Sequence, residues 1–168
     1  MDLILVRHGE AAERDAKRWP DDRDRPLTPR GVKRFRAVAR TYIAPRVPSG
    51  ALLWSSGLKR AWQTAVLLAG EADTEAPVVC RPLEPGGAQV ALLRRIKSES
   101  EAECIVVVGH EPDLGHLATH LLLGRADGTP IVFKKGGAAC LRVEPAARGG
   151  HASLLWLVSP RLLLDVRR

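Results

Sequence analysis

The sequence predicts an α/β fold, a three-layer α/β/α domain with a mainly parallel central sheet. Two observations support this fold class. Short apolar runs alternate along the chain with longer segments of helical periodicity, which is typical of α/β proteins. The most apolar run, CIVVVG at 104–109, is too continuous for a strand with one face in water. The chain of 168 residues has single-domain length, so we expect one domain over 1–168.

The predicted strands are short apolar or β-branched runs bounded by turn residues. They lie at 3–6, 51–54, 78–80, 104–109, 131–133, 138–143 and 154–158. In sheets of this type, ligands bind beyond the carboxyl ends of the central strands. The two most apolar strands lead there to Arg7-His8 and to His110, so we expect these residues to share a site.

Helical segments are predicted between the strands. They run from Thr28 to about Ile43, from Leu58 onward, over 88–97, and from Asp113 to before Gly124. Thr28 offers a hydroxyl cap and Pro29 fits the first helical turn. Asp113 is likewise a good helix cap.

The charge balance favours anionic partners, because 26 Lys and Arg face 19 Asp and Glu, a net charge of +7. The positive residues are scattered, and only four Trp, two Phe and one Tyr are present, so single-stranded nucleic acid is a poor fit. The first apolar stretch is short and bounded by Asp2 and Arg7, unlike a signal peptide or membrane span. We expect a cytoplasmic protein with no nucleic-acid and no membrane partner.

Cys80, Cys104 and Cys140 lie far apart inside apolar segments and form no CxxC pair. They are predicted to be buried thiols, with zinc ligation as the alternative. His116 and His120 have a spacing that can bind metal, but the motif lacks HExxH order. We therefore predict a site without metal or other cofactor.

The run Arg7-His8-Gly9 combines residue types suited to phosphoryl chemistry. A guanidinium donates bidentate hydrogen bonds to phosphate oxygens, and a neutral imidazole can attack phosphorus and carry it covalently. Gly9 lets the backbone approach a ligand closely. His8 is the candidate nucleophile, and Arg7 and Gly9 are candidate substrate ligands. For this tripeptide alone, a satisfied histidine beside a surface arginine is the alternative.

Two later positions fit the same chemistry. Arg60 falls in the first turn of a predicted helix, where a cation is unfavourable unless an anion binds nearby. His110 lies at a strand-to-helix turn, and a protonated His110 could stabilise charge on phosphoryl oxygens. The alternative for Arg60 is a solvated arginine on a helix. The alternative for His110 is a histidine that caps a turn.

Two rim positions are also candidates. Lys135, in the KKGG run with Lys134, could place a cation at the edge of a phosphate pocket, with a solvated turn as the alternative. Trp19 lies in a polar loop rather than in a predicted strand or helix, so we expect it to flank the mouth of the site.

Four motifs in this order resemble the histidine phosphatase superfamily, historically the phosphoglycerate-mutase-like fold. They are LVRHGEA, PLTPRG (26–31), SSGLKRAWQTA (55–65) and VVGHEPDL (107–114). The resemblance covers most of the chain. Its short length, PLTPRG and GHEPDL resemble the SixA-type phosphohistidine phosphatases in particular.

The resemblance implies a nucleophile at His8 and a phosphate pocket formed by Arg7, Arg60 and His110. This chain has Ser56-Gly57 where the family usually has Ser-Pro. Many relatives carry a carboxylate general acid after the third strand, and the nearest candidate here is Glu84 in RPLEPGG.

The predicted reaction follows from the leaving group. A leaving imidazole, whose pKa is ordinarily about 6.5, needs less help from a proton donor than a leaving alkoxide does. Because Glu84 is a weak candidate for a general acid, the sequence favours phosphohistidine as the substrate. A short chain without a long insertion also leaves the site open to a protein. We predict a metal-independent phosphatase that acts on phosphohistidine of a signalling protein. The alternatives are a phosphatase of a small phosphate ester or polyphosphate-like anion, and a non-catalytic phosphate- or phosphoprotein-binding module.

Overall fold

A six-stranded sheet forms the centre of the computed structural model, which describes residues 1–124, 131–144 and 150–161. The strands are β1 Asp2–Arg7, β2 Leu52–Ser55, β3 Val78–Val79, β4 Cys104–Gly109, β5 Ala138–Val143 and β6 Ala152–Val158. The sheet order is β3-β2-β4-β1-β5-β6. Strands β1 to β4 pair in parallel, whereas β5 runs antiparallel to β1 and to β6. The predicted mainly parallel sheet is confirmed.

Helices connect the parallel strands. They are α1 Pro29–Val38, α2 Lys59–Ala72, α3 Gln89–Ser98 and α4 Asp113–Leu123. Helix α1 continues as a π-helical turn over Ala39–Ile43, so its predicted end is confirmed. Gly124 closes α4 with φ of 72°, a left-handed conformation that favours glycine.

Helices cover both faces of the sheet because the β1 side chains alternate between two apolar clusters. Ile4 packs in the cluster that contains Phe35 of α1 and Leu68 of α2. Leu5 packs in the cluster that contains Leu117 of α4, and Ile96 of α3 belongs to that same cluster. This arrangement confirms the predicted three layers.

The start of α1 rests directly on the backbone that follows β1. Thr28 Oγ1 accepts a hydrogen bond from the Gly31 amide at 2.9 Å, which confirms the predicted hydroxyl cap. The Thr28 amide donates to the Glu10 carbonyl at 2.9 Å. A Cβ atom on Gly31 would overlap that Glu10 carbonyl oxygen. The motif PLTPRG therefore sets how closely α1 approaches the loop that carries His8.

Two local predictions are wrong. Residues 131–133 form no strand, because the Phe133 amide and carbonyl bind the side chains of Glu111 and Arg7 instead of a neighbouring strand. Asp113 is the first residue of α4 rather than its cap, since Pro112 occupies the cap position. The Asp113 carboxylate accepts the Gly86 amide at 3.0 Å.

All three cysteines are buried free thiols, as predicted. Burial raises the pKa of Cys104 to about 12 and that of Cys140 to about 11.

Within the described ranges, no group of three or more His, Cys, Asp or Glu side chains is arranged to hold a metal ion. No helix in these ranges is long and apolar enough to cross a membrane.

Candidate active site

The register of the sheet brings His8 and His110 together. Arg7 is the last residue of β1 and lies opposite Gly109, the last residue of β4. The His8 amide donates to the Gly109 carbonyl at 3.1 Å, and His110 follows Gly109 directly. The two imidazole ring centroids are 5.1 Å apart. The sequence prediction that both strand ends contribute to one place is confirmed.

A cavity of about 410 Å³ opens at these strand ends. It contains five residues predicted from the sequence: Arg7, His8, Arg60, His110 and Lys135. The remaining lining residues are Ala11, Ala12, Glu13, Arg14, Arg25, Pro85 and Glu111. We call this space the phosphoryl cavity, because it gathers guanidinium groups around two imidazoles.

The imidazole of His8 is held in one tautomer. Its Nδ1 lies 2.7 Å from the Gly9 carbonyl oxygen, which can only accept, so Nδ1 carries the hydrogen and Nε2 carries the lone pair. Burial, together with the charges of Arg60 and Arg7, lowers the pKa of His8 to about 4. His8 is therefore neutral at pH 7, as attack on phosphorus requires.

Gly9 supports His8 rather than the ligand. Its amide donates to Thr64 Oγ1 at 3.0 Å, and that hydroxyl donates to the Arg60 carbonyl at 2.7 Å. Gly9 does not line the phosphoryl cavity. The role of Gly9 in substrate binding stays a prediction, and its amide is already used to tie the His8 loop to α2.

His110 is held by Ser56, a residue for which no role was predicted. Its Nε2 lies 2.9 Å from Ser56 Oγ, and that oxygen accepts the Leu58 amide at 3.3 Å. Burial, together with the charges of His8 and Arg60, lowers the pKa of His110 to about 3. His110 is therefore neutral at pH 7 in this structure, and its role as a protonated group beside the phosphoryl oxygens stays a prediction.

Arg7 is fixed by the segment that was predicted to be a strand. Its Nη1 donates to the Phe133 carbonyl at 2.6 Å. The Phe133 amide donates to Glu111 Oε1 at 2.6 Å, and the charge of Glu111 opposes the lowering of the Arg7 pKa by burial. Arg7 Nε is buried and has no hydrogen-bond partner among the described residues. A phosphate oxygen would satisfy this donor.

Arg60 projects from the first turn of α2, as predicted, and its side chain is only 4% exposed. Its Nη1 donates to the Asp22 carbonyl at 2.8 Å and lies 3.1 Å from Asp22 Oδ2. Like Arg7, it has a buried Nε without a partner in the part of the chain that the structure describes. Two guanidinium groups that each have a buried, unused donor in one cavity are suited to bind an anion.

Arg25 is a cation of the cavity that the sequence did not reveal. Its Nε donates to Asp22 Oδ1 at 2.7 Å, and its Nη1 donates to the Ala12 carbonyl at 2.8 Å. Arg14 Nε lies 3.6 Å from Asp22 Oδ1. Asp22 thus joins arginines from the loop 12–26 to Arg60, and the Arg25 hydrogen bond holds the pKa of Asp22 below its usual value. The contact of Asp22, in the loop 12–26, with Arg60 of α2 brings Arg25 to the cavity, and the sequence gives no local sign of that contact.

Glu84 is not placed to protonate a leaving group. Its two carboxylate oxygens accept hydrogen bonds from Arg23 at 2.7 and 3.0 Å, and Glu84 does not line the phosphoryl cavity. The Arg23 hydrogen bond also lowers the pKa of Glu84, which makes it a poorer proton donor at neutral pH. A Cβ atom at Gly57 would lie 3.0 Å from Glu84 Oε1, so the glycine leaves room for this ion pair.

The remaining candidates lie at or beyond the rim. Lys135 is exposed and lines the cavity, whereas Lys134 does not. The Gly136 amide donates to the carbonyls of Arg7 and His8 at 3.1 and 2.9 Å, so this turn is bound to the backbone of the His8 loop. Trp19 lines an adjoining cavity that shares a wall with the phosphoryl cavity, which agrees with its predicted place at the mouth.

The fold and the site together define an α/β protein with arginine side chains gathered around two neutral histidines at the carboxyl ends of its central strands. Residues 3–82 match the histidine phosphatase superfamily, branch 1. An uncharacterized protein of Picosynechococcus sp. is 37% identical over 169 residues, which covers 98% of this chain and 99% of that protein. The chain belongs to the histidine phosphatase superfamily.

Solved structures show the same relation. The protein histidine phosphatase SixA in complex with tungstate has a TM-score of 0.83 and 25% identity, covering 97% of this chain and 99% of that one. A phosphohistidine phosphatase SixA assigned provisionally in Agrobacterium tumefaciens has a TM-score of 0.73 and 20% identity over 95% and 97% of the two chains. An α-ribazole-5'-P phosphatase, also provisionally assigned, from Escherichia coli K-12 gives 0.72 and 18% over 95% and 97%. The fold is therefore the phosphoglycerate-mutase-like one.

Proposed function

We propose that this protein is a phosphohistidine phosphatase that acts through a phosphoryl group carried on His8. The observation that carries the proposal is the state of His8, whose Nδ1–H is held by the Gly9 carbonyl and whose neutral Nε2 is left to attack. The phosphoryl cavity adds Arg7 and Arg60, each with a buried unused donor, for the oxygens. Similarity to SixA in complex with tungstate, an oxyanion, supports the same proposal.

In the first step, His8 Nε2 forms a bond to phosphorus while the bond from phosphorus to the leaving imidazole nitrogen breaks. The leaving nitrogen takes that electron pair and a proton from solvent. His8 becomes an N-phosphorylated imidazolium, and the Gly9 carbonyl stabilises its Nδ1–H. Arg7, Arg25 and Arg60 offset the charge on the transferring oxygens.

In the second step, water adds to phosphorus and the bond to His8 Nε2 breaks. Inorganic phosphate leaves with both hydrogen atoms of that water, and His8 returns to its neutral form. No step requires a metal ion or cofactor, so metal-independent catalysis is part of the proposal. The step order is that of covalent catalysis by a histidine nucleophile.

The substrate class follows from the carboxylates around the cavity. Glu84 is bound by Arg23, and Glu111 accepts the Phe133 amide, so both are committed to structural contacts. Glu13 lines the cavity but is exposed at its mouth. A leaving imidazole, with a pKa of about 6.5, requires little help from such groups, whereas an alkoxide requires a strong proton donor. Phosphohistidine therefore fits better than a phosphate ester.

A rapid-quench experiment tests the proposal. The protein is mixed with a ³²P-labelled phosphohistidine peptide or with labelled aryl phosphate, quenched in alkaline denaturant, and analysed for label on His8. We expect an acid-labile, alkali-stable phosphoryl group and a kcat/KM at least about 100-fold higher for the phosphohistidine peptide. Label absent from His8 with both donors contradicts catalysis. Label on His8 with a preference for the aryl phosphate contradicts the substrate class.

A further inference from the structure

A second cavity adjoins the phosphoryl cavity on the side of the loop 12–26. It has a volume of about 310 Å³ and is lined by Ala12, Glu13, Arg14, Asp15, Arg18 and Trp19. Three of these residues, Ala12, Glu13 and Arg14, line the phosphoryl cavity as well. A group attached to phosphorus at His8 can therefore extend from one cavity into the other. We call this second space the indole cavity.

The indole of Trp19 is held in a structured turn. The Trp19 amide donates to the Asp15 carbonyl at 2.7 Å. The Asp15 carboxylate accepts the amides of Lys17 and Arg18 at 2.9 and 3.3 Å, and the Arg18 guanidinium lies 5.4 Å from the Trp19 ring centroid. Residues 13–18 are exposed, whereas Trp19 is half-buried. A fixed, partly exposed indole is a typical anchor for a polypeptide.

The charge of the indole cavity differs from that of its neighbour. Its two guanidinium groups, Arg14 and Arg18, are balanced by two carboxylates, Glu13 and Asp15. The phosphoryl cavity has an excess of cations. A second phosphate group would gain little attraction in a charge-balanced space. Neutral, polar polypeptide with an apolar side chain against the indole fits it well, because indole offers both an apolar face and a polar N–H.

We propose that the indole cavity is a subsite for the polypeptide that flanks the phosphorylated imidazole of a protein substrate. The inference rests on the proposed function and deepens it, because it makes Trp19 a determinant of specificity on the leaving-group side. Trp19 acts on binding of the flanking residues and takes no part in transfer of the phosphoryl group. Its contribution exists only for a substrate longer than the phosphorylated imidazole itself.

Two substrates with the same scissile P–N bond test this. We would measure kcat/KM for phosphoimidazole and for a phosphohistidine peptide with uncharged flanking residues, and take the ratio of peptide to phosphoimidazole. In Trp19→Ala we expect this ratio to fall about tenfold, the usual size of the loss of an aromatic anchor. Trp19→Phe should restore most of it. Lys17→Ala, in the same turn but outside both cavities, is the matched control and should leave the ratio unchanged.

The outcomes separate this inference from the proposed function. An unchanged ratio in Trp19→Ala overturns the subsite, even if both substrates are hydrolysed well. Equal loss on both substrates also overturns it, because Trp19 would then only support the phosphoryl cavity. If the wild-type protein hydrolyses an aryl phosphate but neither P–N substrate, the proposed function itself fails and the subsite falls with it.

Discussion

The phosphoryl cavity has two walls that are held in different ways. The strand wall consists of Arg7, His8 and His110, which the ends of β1 and β4 fix through backbone register. The loop wall is formed by Arg25, which lies beside the cavity and is tied to Arg60 by ion pairs with Asp22 behind it. Backbone register tolerates substitution of a side chain, whereas an ion-pair network loses its geometry when one member is removed. The strand wall should therefore govern the chemical step, and the loop wall should govern how the oxyanion is held.

The largest effect is expected at the nucleophile. In His8→Ala, kcat should fall by at least about 10⁴-fold, because no other described group offers a neutral Nε2 at this position. Rapid quench should find no phosphoryl group on the protein. Circular dichroism serves as the control for an intact fold. Turnover near the wild-type level would mean that the strand wall does not perform the chemistry.

The two buried histidines also make stability depend on pH. Burial lowers the pKa of His8 to about 4 and that of His110 to about 3, whereas the unfolded chain has values of about 6.5. Below pH 6.5 the unfolded chain therefore binds more protons, and the free energy of unfolding falls with falling pH. From pH 7 to 5 we expect a loss of about 2 kcal/mol for each histidine.

Urea denaturation at pH 7 and pH 5 measures this loss. In His8→Gln one of the two protonation sites is absent, so the pH-dependent loss should be about half as large. The same loss in wild type and His8→Gln would show that His8 is not kept neutral by the fold.

The next effect concerns the loop wall. In Arg25→Ala we expect kcat/KM to fall about 100-fold, because a guanidinium that lines the phosphoryl cavity is lost. Arg23→Ala is the matched control from the same loop, since Arg23 pairs with Glu84 outside the cavity. If Arg23→Ala lowers kcat/KM as much as Arg25→Ala does, the position of Arg25 inside the cavity is not what matters for activity.

A smaller effect is expected when the tie between the arginines is cut. Asp22→Ala removes the acceptor of Arg25 Nε at 2.7 Å and the partner of Arg60 at 3.1 Å. We expect kcat/KM to fall about tenfold and the inhibition constant of inorganic phosphate to rise. Asp22–Asp24 form a 3₁₀ turn, and Asp24→Ala in this turn provides the control. Tighter phosphate inhibition in Asp22→Ala would instead identify Asp22 as a repulsive neighbour of the substrate.

The smallest effect is expected at Glu84. Because its carboxylate is bound by Arg23 and lies outside the phosphoryl cavity, Glu84→Gln should change kcat/KM for an aryl phosphate by no more than about threefold. A proton donor would cost about 10²- to 10⁴-fold in the same assay. A loss of that size would return Glu84 to the general-acid role that the structure argues against.

The same division explains what could be predicted from the sequence. His8 and His110 follow the two most apolar strands, so a pattern of local hydrophobicity was enough to place them at one sheet edge. Arg60 was found because a cation in the first turn of a helix is unusual. Arg25 and Glu111 carry no such local signal. The role of Arg25 depends on the contact of its neighbour Asp22 with Arg60, and that of Glu111 depends on Phe133, and both contacts join segments that meet only through folding.

Two sequence errors have the same origin. The apolar run 131–133 has the composition of a strand, but its peptide groups bind Glu111 and Arg7. Glu84 has the residue type of an acid catalyst, but its carboxylate accepts hydrogen bonds from Arg23, which is 61 positions away. In both cases the local pattern predicted the wrong role, because a polar contact with a distant segment binds the groups that this role would have needed.

The close approach of Gly31 to the Glu10 carbonyl extends the functional site beyond the residues that face the substrate. A methyl group at Gly31 would act as a wedge between α1 and the backbone two residues after His8. In a saturation library scored for activity, position 31 should therefore tolerate as few residues as the cavity itself. A mutational map of this protein would mark as essential a glycine that lies outside the phosphoryl cavity.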